Sequence, residues 1–273
     1  MEFAVDIPDQ WVHREESQLA LFQVEAVSDP RWFYYSVVPE LTPPRSECIQ
    51  QVPGQAVFRE GEWEVRYFGT TWQKAYARAM SRGRECRVEV KASECAEGIT
   101  ARTVLAIMRM PHLAAQTDGV IIHCSFIAHE GRAILFTAPS GTGKSTQAEL
   151  WRDLRGARVI NGDRALIRRV GGQIMAEGIP FSGSSHDCEN ASFPLAAIVY
   201  LAQAPKTEIS RLGGYRAFSR IWEGININTW EQSDVEKASG LVQDLAVSVP
   251  IYYLPCTPDE SAVTALEQAL ESR

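Results

Sequence analysis

One stretch, Ala133-Ile-Leu-Phe-Thr-Ala-Pro-Ser-Gly-Thr-Gly-Lys-Ser-Thr-Gln-Ala-Glu-Leu150, restricts what this chain can fold into more than any other. An apolar strand runs into a Gly/Ser turn and then into a helix, with Gly143-Lys144-Ser145 at the turn, which is the context of a phosphate-binding P-loop. Glycines at 141 and 143 permit backbone angles that turn successive N–H groups inward, at a helix N-terminus whose dipole also favours an anion. The expected nucleotide contacts are Ser140, Gly141, Thr142, Gly143, Lys144, Ser145 and Thr146. Lys144 would bridge the terminal phosphates, and the Ser145 hydroxyl would go to a magnesium ion. The first glycine of G-x-x-x-x-G-K-[ST] is Ala138 here, but the anion nest depends mainly on the later residues.

Charge narrows the partners. Lys plus Arg number 27 against 34 Asp plus Glu, a formal net charge of −7 with no basic run, which argues against holding duplex nucleic acid by phosphate neutralisation. No run approaches the roughly 18 consecutive apolar residues of a membrane span, and the start Met1-Glu-Phe-Ala-Val-Asp6 lacks the regions of a signal peptide. The expectation is a cytoplasmic protein with reduced thiols, because Cys48, Cys86, Cys95, Cys124, Cys188 and Cys256 show no zinc-like spacing. The five histidines are equally dispersed, so a metal would arrive with a ligand rather than sit in a permanent cage.

Residues 1–118 read as a β-rich domain and 119–273 as the nucleotide-binding domain. Trp63, Val65 and Tyr67 alternate with charged neighbours, as do Cys86, Val88 and Val90; the stretches 19–26 and 32–38 look like further strands. Trp11, Trp32, Trp63 and Trp72 lie in no basic run that would suggest base stacking and are read as sheet packing. Thr100 to about Gln116 carries a helical period broken by Asp118-Gly119. Val120 to Ala128 and Arg132 to Thr137 form a hairpin around His129-Glu130-Gly131. A helix from Ser145, a strand near 157–160, a hairpin through Gly171-Gly172 and a strand 195–201 follow. Ser233 with Glu236, and Thr257 with Glu260, read as capping boxes opening the last two helices, with a short strand 250–254 between them.

On these anchors the chain resembles the HPr kinase/phosphorylase group, related in its nucleotide site to phosphoenolpyruvate carboxykinase. The matching residues are Ile122-His123, then Pro139-Ser-Gly-Thr-Gly-Lys-Ser145, then Gly156-Ala-Arg-Val-Ile-Asn-Gly-Asp163. The likeness covers roughly residues 120–205; the first 118 residues do not resemble the family's usual N-terminal domain. The whole chain looks more like kinase-like proteins of bacterial peptide-biosynthesis clusters described as related to HPr serine kinase. The resemblance implies an α/β P-loop kinase domain of the HPr kinase/phosphoenolpyruvate carboxykinase type behind a β-rich N-terminal domain. It implies catalytic roles for His123, Lys144 and Asp163, with Asp163 and Ser145 toward magnesium. Family members carry an acidic pair at 162–163; here Gly162 replaces its first member, which serves there as the base. Glu177 and Asp187, flanking a Gly/Ser loop, are candidate substitutes. One of Arg211, Arg216 and Arg220 is a candidate for transition-state charge.

The implied activity is ATP- and Mg2+-dependent phosphorylation of a hydroxyl, in a protein, a peptide or a small serine-like metabolite. The alternative is a non-catalytic nucleotide sensor that signals to a partner protein. Carboxykinase-like chemistry ranks below both, because the histidine and lysine pattern of its manganese ligands is missing. A homo-oligomer is compatible with the resemblance, since the related kinases are oligomeric.

Overall fold

Period-two patterning builds the first part of the chain into one sheet. The structure is a computed structural model that describes residues 3–6, 18–27, 31–94, 104, 106–183 and 185–272. Trp11 and Cys95 lie outside the described residues. The chain divides into two compact units, Met1–Arg109 and Met110–Arg273.

In the first unit, β1 (Phe3–Asp6), β2 (Arg31–Val38), β3 (Cys48–Val52), β4 (Gln55–Glu60), β5 (Trp63–Phe68), β6 (Ala77–Arg82) and β7 (Glu85–Lys91) form a seven-stranded sheet. Its order is β1-β2-β7-β6-β5-β4-β3, with β3 to β7 an antiparallel meander and β2 parallel to both β1 and β7. Residues 18–22 form a short 3-10 helix, not the strand expected over 19–26. Trp63 and Trp72 pack on the cluster of Phe58, Val65 and Tyr67. Trp32 does not: it is 43% exposed and stacks on Tyr34 at 5.7 Å.

The charged residues of β5 are also not where alternation puts them. Glu64 and Arg66 are buried as an ion pair: Arg66 Nε lies 3.3 Å from Glu64 Oε1, and Arg66 also donates to the Ile107 carbonyl at 2.9 Å. Arg109 reaches the second Glu64 oxygen at 3.0 Å. Arg109 itself has φ 56, a left-handed residue that breaks the helix expected through 100–116. Residues 100–103 and 105 of that expected helix lie outside the described residues.

The second unit starts with the short helix α1 (Met110–Ala115) and contains β8 (Gly119–His123), β9 (Ser125–His129), β10 (Arg132–Thr137), α2 (Lys144–Arg155), β11 (Arg158–Asn161), β12 (Arg164–Val170), β13 (Gln173–Glu177), β14 (Ser192–Gln203), β15 (Ser210–Leu212), α3 (Gly214–Trp222), β16 (Ile225–Asn226), α4 (Gln232–Ser248), β17 (Ile251–Cys256) and α5 (Glu260–Glu271). The sheet path is β11-β9-β10-β14-β13-β12-β8-β16, and β17 pairs with β14 and β15. The run 120–128, expected as one strand, breaks at Cys124, so β8 and β9 pair with different partners. The β9–β10 hairpin holds as expected: Glu130 and Gly131 have φ 49 and 71, the two left-handed positions of a tight hairpin turn.

Strands β10, β14 and β17 run parallel and bury both faces. Ala148, Trp151, Val263 and Leu266 of α2 and α5 cover one face; Ala217, Ile221, Val242 and Leu245 of α3 and α4 cover the other. Helix caps differ from the expected boxes. Ser233 lies inside α4, whose N-cap Glu231 makes no side-chain cap, and α5 is capped by Asp259, which accepts from the Ser261 amide. No helix among the described residues is long and apolar enough to cross a membrane.

Candidate functional site

Parallel strands leave their carboxyl ends open where the following loops turn away, and such ends are where α/β sheets hold ligands. The loop 138–143 leaves β10 at this edge, beside the ends of β14 and β17. Gln203 donates to the Gly141 carbonyl at 3.3 Å, and the Gln147 amide approaches Cys256 Sγ at 3.6 Å.

Gly141 and Gly143 have φ 78 and 111, which explains glycine at both places. The left-handed non-glycine residues among those described are Arg109, Asp118, Glu130 and His186, so Ala138 carries no backbone strain where the motif has its first glycine. The Thr142 amide and hydroxyl both donate to the Pro139 carbonyl, at 3.3 and 2.9 Å, and hold the loop closed. Gly143 is the N-cap of α2 and offers no side chain to it. The first intrahelical bond runs from Gln147 to Gly143, so the amides of Lys144, Ser145 and Thr146 are the donors that a helix start leaves open. Ser140, Gly141, Ser145 and Thr146 are exposed, and Thr142 and Gly143 half-buried. Lys144 is buried, its ammonium folded back onto the carbonyls of Ala138 (3.0 Å) and Pro139 (3.3 Å). Burial lowers its pKa, opposed by Cys124 and Asp163.

His123 ends β8. Its Nδ1 lies 2.9 Å from the main-chain carbonyl of Asp163 and 3.5 Å from Asp163 Oδ1, while its own carbonyl accepts from Thr137 Oγ1 at 2.9 Å. Burial and the nearby Lys144 charge lower the His123 pKa, with the Asp163 carboxylate opposing. Asp163 Oδ2 also pairs with Arg164 Nε at 3.0 Å. The strand-loop-helix and the β8, β11 and β12 ends thus bring Lys144, His123 and Asp163 within electrostatic reach of one another.

Asn161, quoted in the sequence pattern but given no role, organises this corner. It is fully buried; its Oδ1 accepts from the amides of Asp163 and Arg164 at 2.9 Å each, and its Nδ2 donates to the carbonyls of Ile179 and Phe181 at 3.0 Å. The Asn-Gly dipeptide was the available signal, since asparagine side chains set turns this way. Gly183 is a second missed residue: a Cβ there would meet Asp163 Cβ at 3.1 Å.

The substitutes expected for the missing acid separate clearly. Glu177 is tied to Arg168 at 2.8 Å. A Cβ on Gly162 would meet Ser185 Oγ at 1.9 Å and Asp187 Oδ2 at 3.8 Å, so the segment carrying Asp187 occupies the space a side chain at 162 would need. Of the three arginines, Arg211 lies on β15 and Arg216 is exposed on α3. Arg220 lines a cleft of about 430 Å³ with Pro139, Gly141, Tyr200 and Tyr253, stacked over the Tyr200 ring at 4.5 Å and paired with Glu223 at 2.9 Å.

Ser145 and Asp163 offer the hard oxygen atoms that suit Mg2+, which usually takes one or two protein oxygens plus substrate phosphates. No group of three or more His, Cys, Asp or Glu among the described residues makes a protein-only metal cage.

Fold and site together define a mixed α/β protein with a β-rich N-terminal region and a glycine loop at the open edge of parallel strands. The model of the family described as SynChlorMet cassette protein ScmC matches residues 85–271, and the chain belongs to that family. No curated protein matches the chain. Among solved structures it matches the HPr(Ser) kinase/phosphatase from Coxiella burnetii at 12% identity and a TM-score of 0.33, over 56% of this chain and 93% of that one.

Proposed function

We propose that the protein is an ATP- and Mg2+-dependent kinase that phosphorylates a hydroxyl of a protein, peptide or small serine-like metabolite. The observation that carries this reading is the start of α2, where a glycine N-cap leaves the amides of residues 144–146 open beside the Lys144 ammonium. With φ 111 the cap position takes glycine, so no side chain there satisfies those amides. Here the open donors suit a phosphate chain, with Lys144 turning out of its carbonyl contacts to meet the terminal phosphates.

Ser145 and Asp163 are the residues that would hold Mg2+, which when bound neutralises charge on the transferring phosphoryl group. His123 is held against the Asp163 carbonyl and orients that carboxylate. Arg220 lines the same cleft as Pro139 and Gly141 of the loop and supplies positive charge to the phosphates. The description of the family as a cassette protein supports seeking the acceptor among products of neighbouring genes. Gly162 favours one other reading, a nucleotide sensor that binds ATP and signals without transfer.

Transfer of label from γ-labelled ATP into a host-cell extract split by size tests both. Label lost with Lys144→Ala supports the kinase, and its fraction distinguishes a macromolecular from a small acceptor. ATP binding with no labelled product in either fraction supports the sensor.

A further inference from the structure

Transfer to a hydroxyl requires a group that takes the hydroxyl proton, and most carboxylates around Asp163 are already committed. Asp163 is paired with Arg164 and His123, Glu177 with Arg168, and Glu189 with Arg158. The Asp187 carboxylate has no hydrogen bond or ion pair among the described residues, although its backbone is firmly placed. The Gly162 amide donates to the Asp187 carbonyl at 3.4 Å, Cys188 bridges to Asn161, and the Glu189 amide donates to the Ile160 carbonyl at 2.9 Å. This short antiparallel pairing lays the segment along the end of β11 and brings Asp187 Oδ2 to 3.8 Å from where a side chain at Gly162 would begin. The Ser185 hydroxyl takes the space a side chain at Gly162 would use, and the same segment brings to its edge the Asp187 carboxylate, which has no partner among the described residues.

We propose that Asp187 is a catalytic residue, the base for the acceptor hydroxyl. The inference rests on the kinase reading above. In the step, the acceptor oxygen bonds to the γ-phosphorus and the bond from that phosphorus to the β,γ-bridging oxygen breaks. Its electron pair leaves with ADP, and the acceptor proton passes to Asp187 Oδ2. Glu177 is excluded from this part by its bond to Arg168.

The test uses the full chain with Mg-ATP and two acceptors, water and the host-cell extract. Asp187→Asn is expected to lower kcat by roughly 10²- to 10⁴-fold, with ATP affinity within about twofold of wild type, and Asp187→Glu to regain part of the rate. Asn is nearly isosteric, and the replaced side chain makes no bond among the described residues, so the thermal midpoint is expected to stay within about 2 °C. If Asp187→Asn keeps kcat within about threefold while Lys144→Ala is inactive, Asp187 is not the base and the kinase reading stands. If both Asp187 variants melt early or lose ATP affinity along with rate, the residue is structural and the proposal falls. If wild type binds ATP yet transfers nothing to either acceptor, or Lys144→Ala matches wild type, the kinase reading fails and takes the proposal with it.

Discussion

The main-chain carbonyl of Asp163 receives the His123 ring at 2.9 Å and the Cys124 amide at 3.0 Å. A carbonyl only accepts, so the neutral His123 ring carries its proton on Nδ1 and leaves Nε2 bare. Nitrogen NMR of the labelled protein at pH 7.5 is expected to show that tautomer, and an Nε2–H form would contradict the geometry. The pH dependence follows from the lowered pKa. Between the folded value and the ordinary value near 6.5, the unfolded chain binds the proton that the folded chain refuses, so this residue's effect on stability worsens as pH falls through that window. Urea unfolding at pH 7.5 and pH 5 is expected to show a smaller loss for His123→Asn than for wild type.

Gly162 and Gly178 are both crowded, but by different things. At Gly178 a Cβ would meet the Glu189 carbonyl oxygen at 2.0 Å, a backbone atom held in place by the pairing with β11. At Gly162 the obstacle is a serine hydroxyl that can rotate away. Gly178→Ala is therefore expected to cost about 2–3 kcal/mol and Gly162→Ala about 1 kcal/mol. Chemical denaturation of both variants checks the order. Adding Ser185→Gly is expected to recover the Gly162→Ala loss and leave the Gly178→Ala loss unchanged.

Much of this corner could be read from residue order. The strand-glycine-helix pattern at 133–150 and the hairpin at 130–131 are local, because apolar period and turn chemistry act over a few residues. What stayed hidden depends on distant partners. Glu64 and Arg66 look like a solvated strand face until each is seen to neutralise the other, and Arg109 ends a helix whose apolar period would carry it further. Cys124 sits between His123 and Ser125 in a run that is otherwise apolar, and only the pairing of β8 with β12 and of β9 with β10 shows that the run must break there. The difference between Glu177 and Asp187 lay in Arg168 and in the return of residues 187–189 along β11, neither of which a one-dimensional pattern contains.

His112 on α1 and Asp234 in the first turn of α4 form a contact at 2.9 Å, with Asp234 fully buried and Asn228 adding a second partner at 3.4 Å. Removing the carboxylate strips both partners inside a dry site. Asp234→Ala is expected to cost about 2–3 kcal/mol in urea unfolding, more than an exposed helix-start acid would. A double-mutant cycle with His112→Ala is expected to show coupling of at least about 1 kcal/mol; additive losses would mean the carboxylate serves the helix start alone.

Lys144 is held in the wrong place for a phosphate, bonded to the carbonyls of Ala138 and Pro139. Those contacts satisfy a buried ammonium, and a phosphate chain competes for the same cation. A ligand that binds only the folded chain adds stability in proportion to the logarithm of its concentration over Kd, about 2.7 kcal/mol at a hundredfold excess. Pyrophosphate and Mg-ATP are each expected to raise the thermal midpoint of wild type, and adenosine, which has no phosphate, is not. For Lys144→Ala the rise with both phosphates is expected to vanish at the same concentrations. Lys144→Arg separates charge from shape: its wider fork cannot occupy the same pair of carbonyls in a buried pocket, so part of the shift with pyrophosphate should return only at higher concentration. An unchanged shift in Lys144→Ala would mean that the anion sits elsewhere than the start of α2.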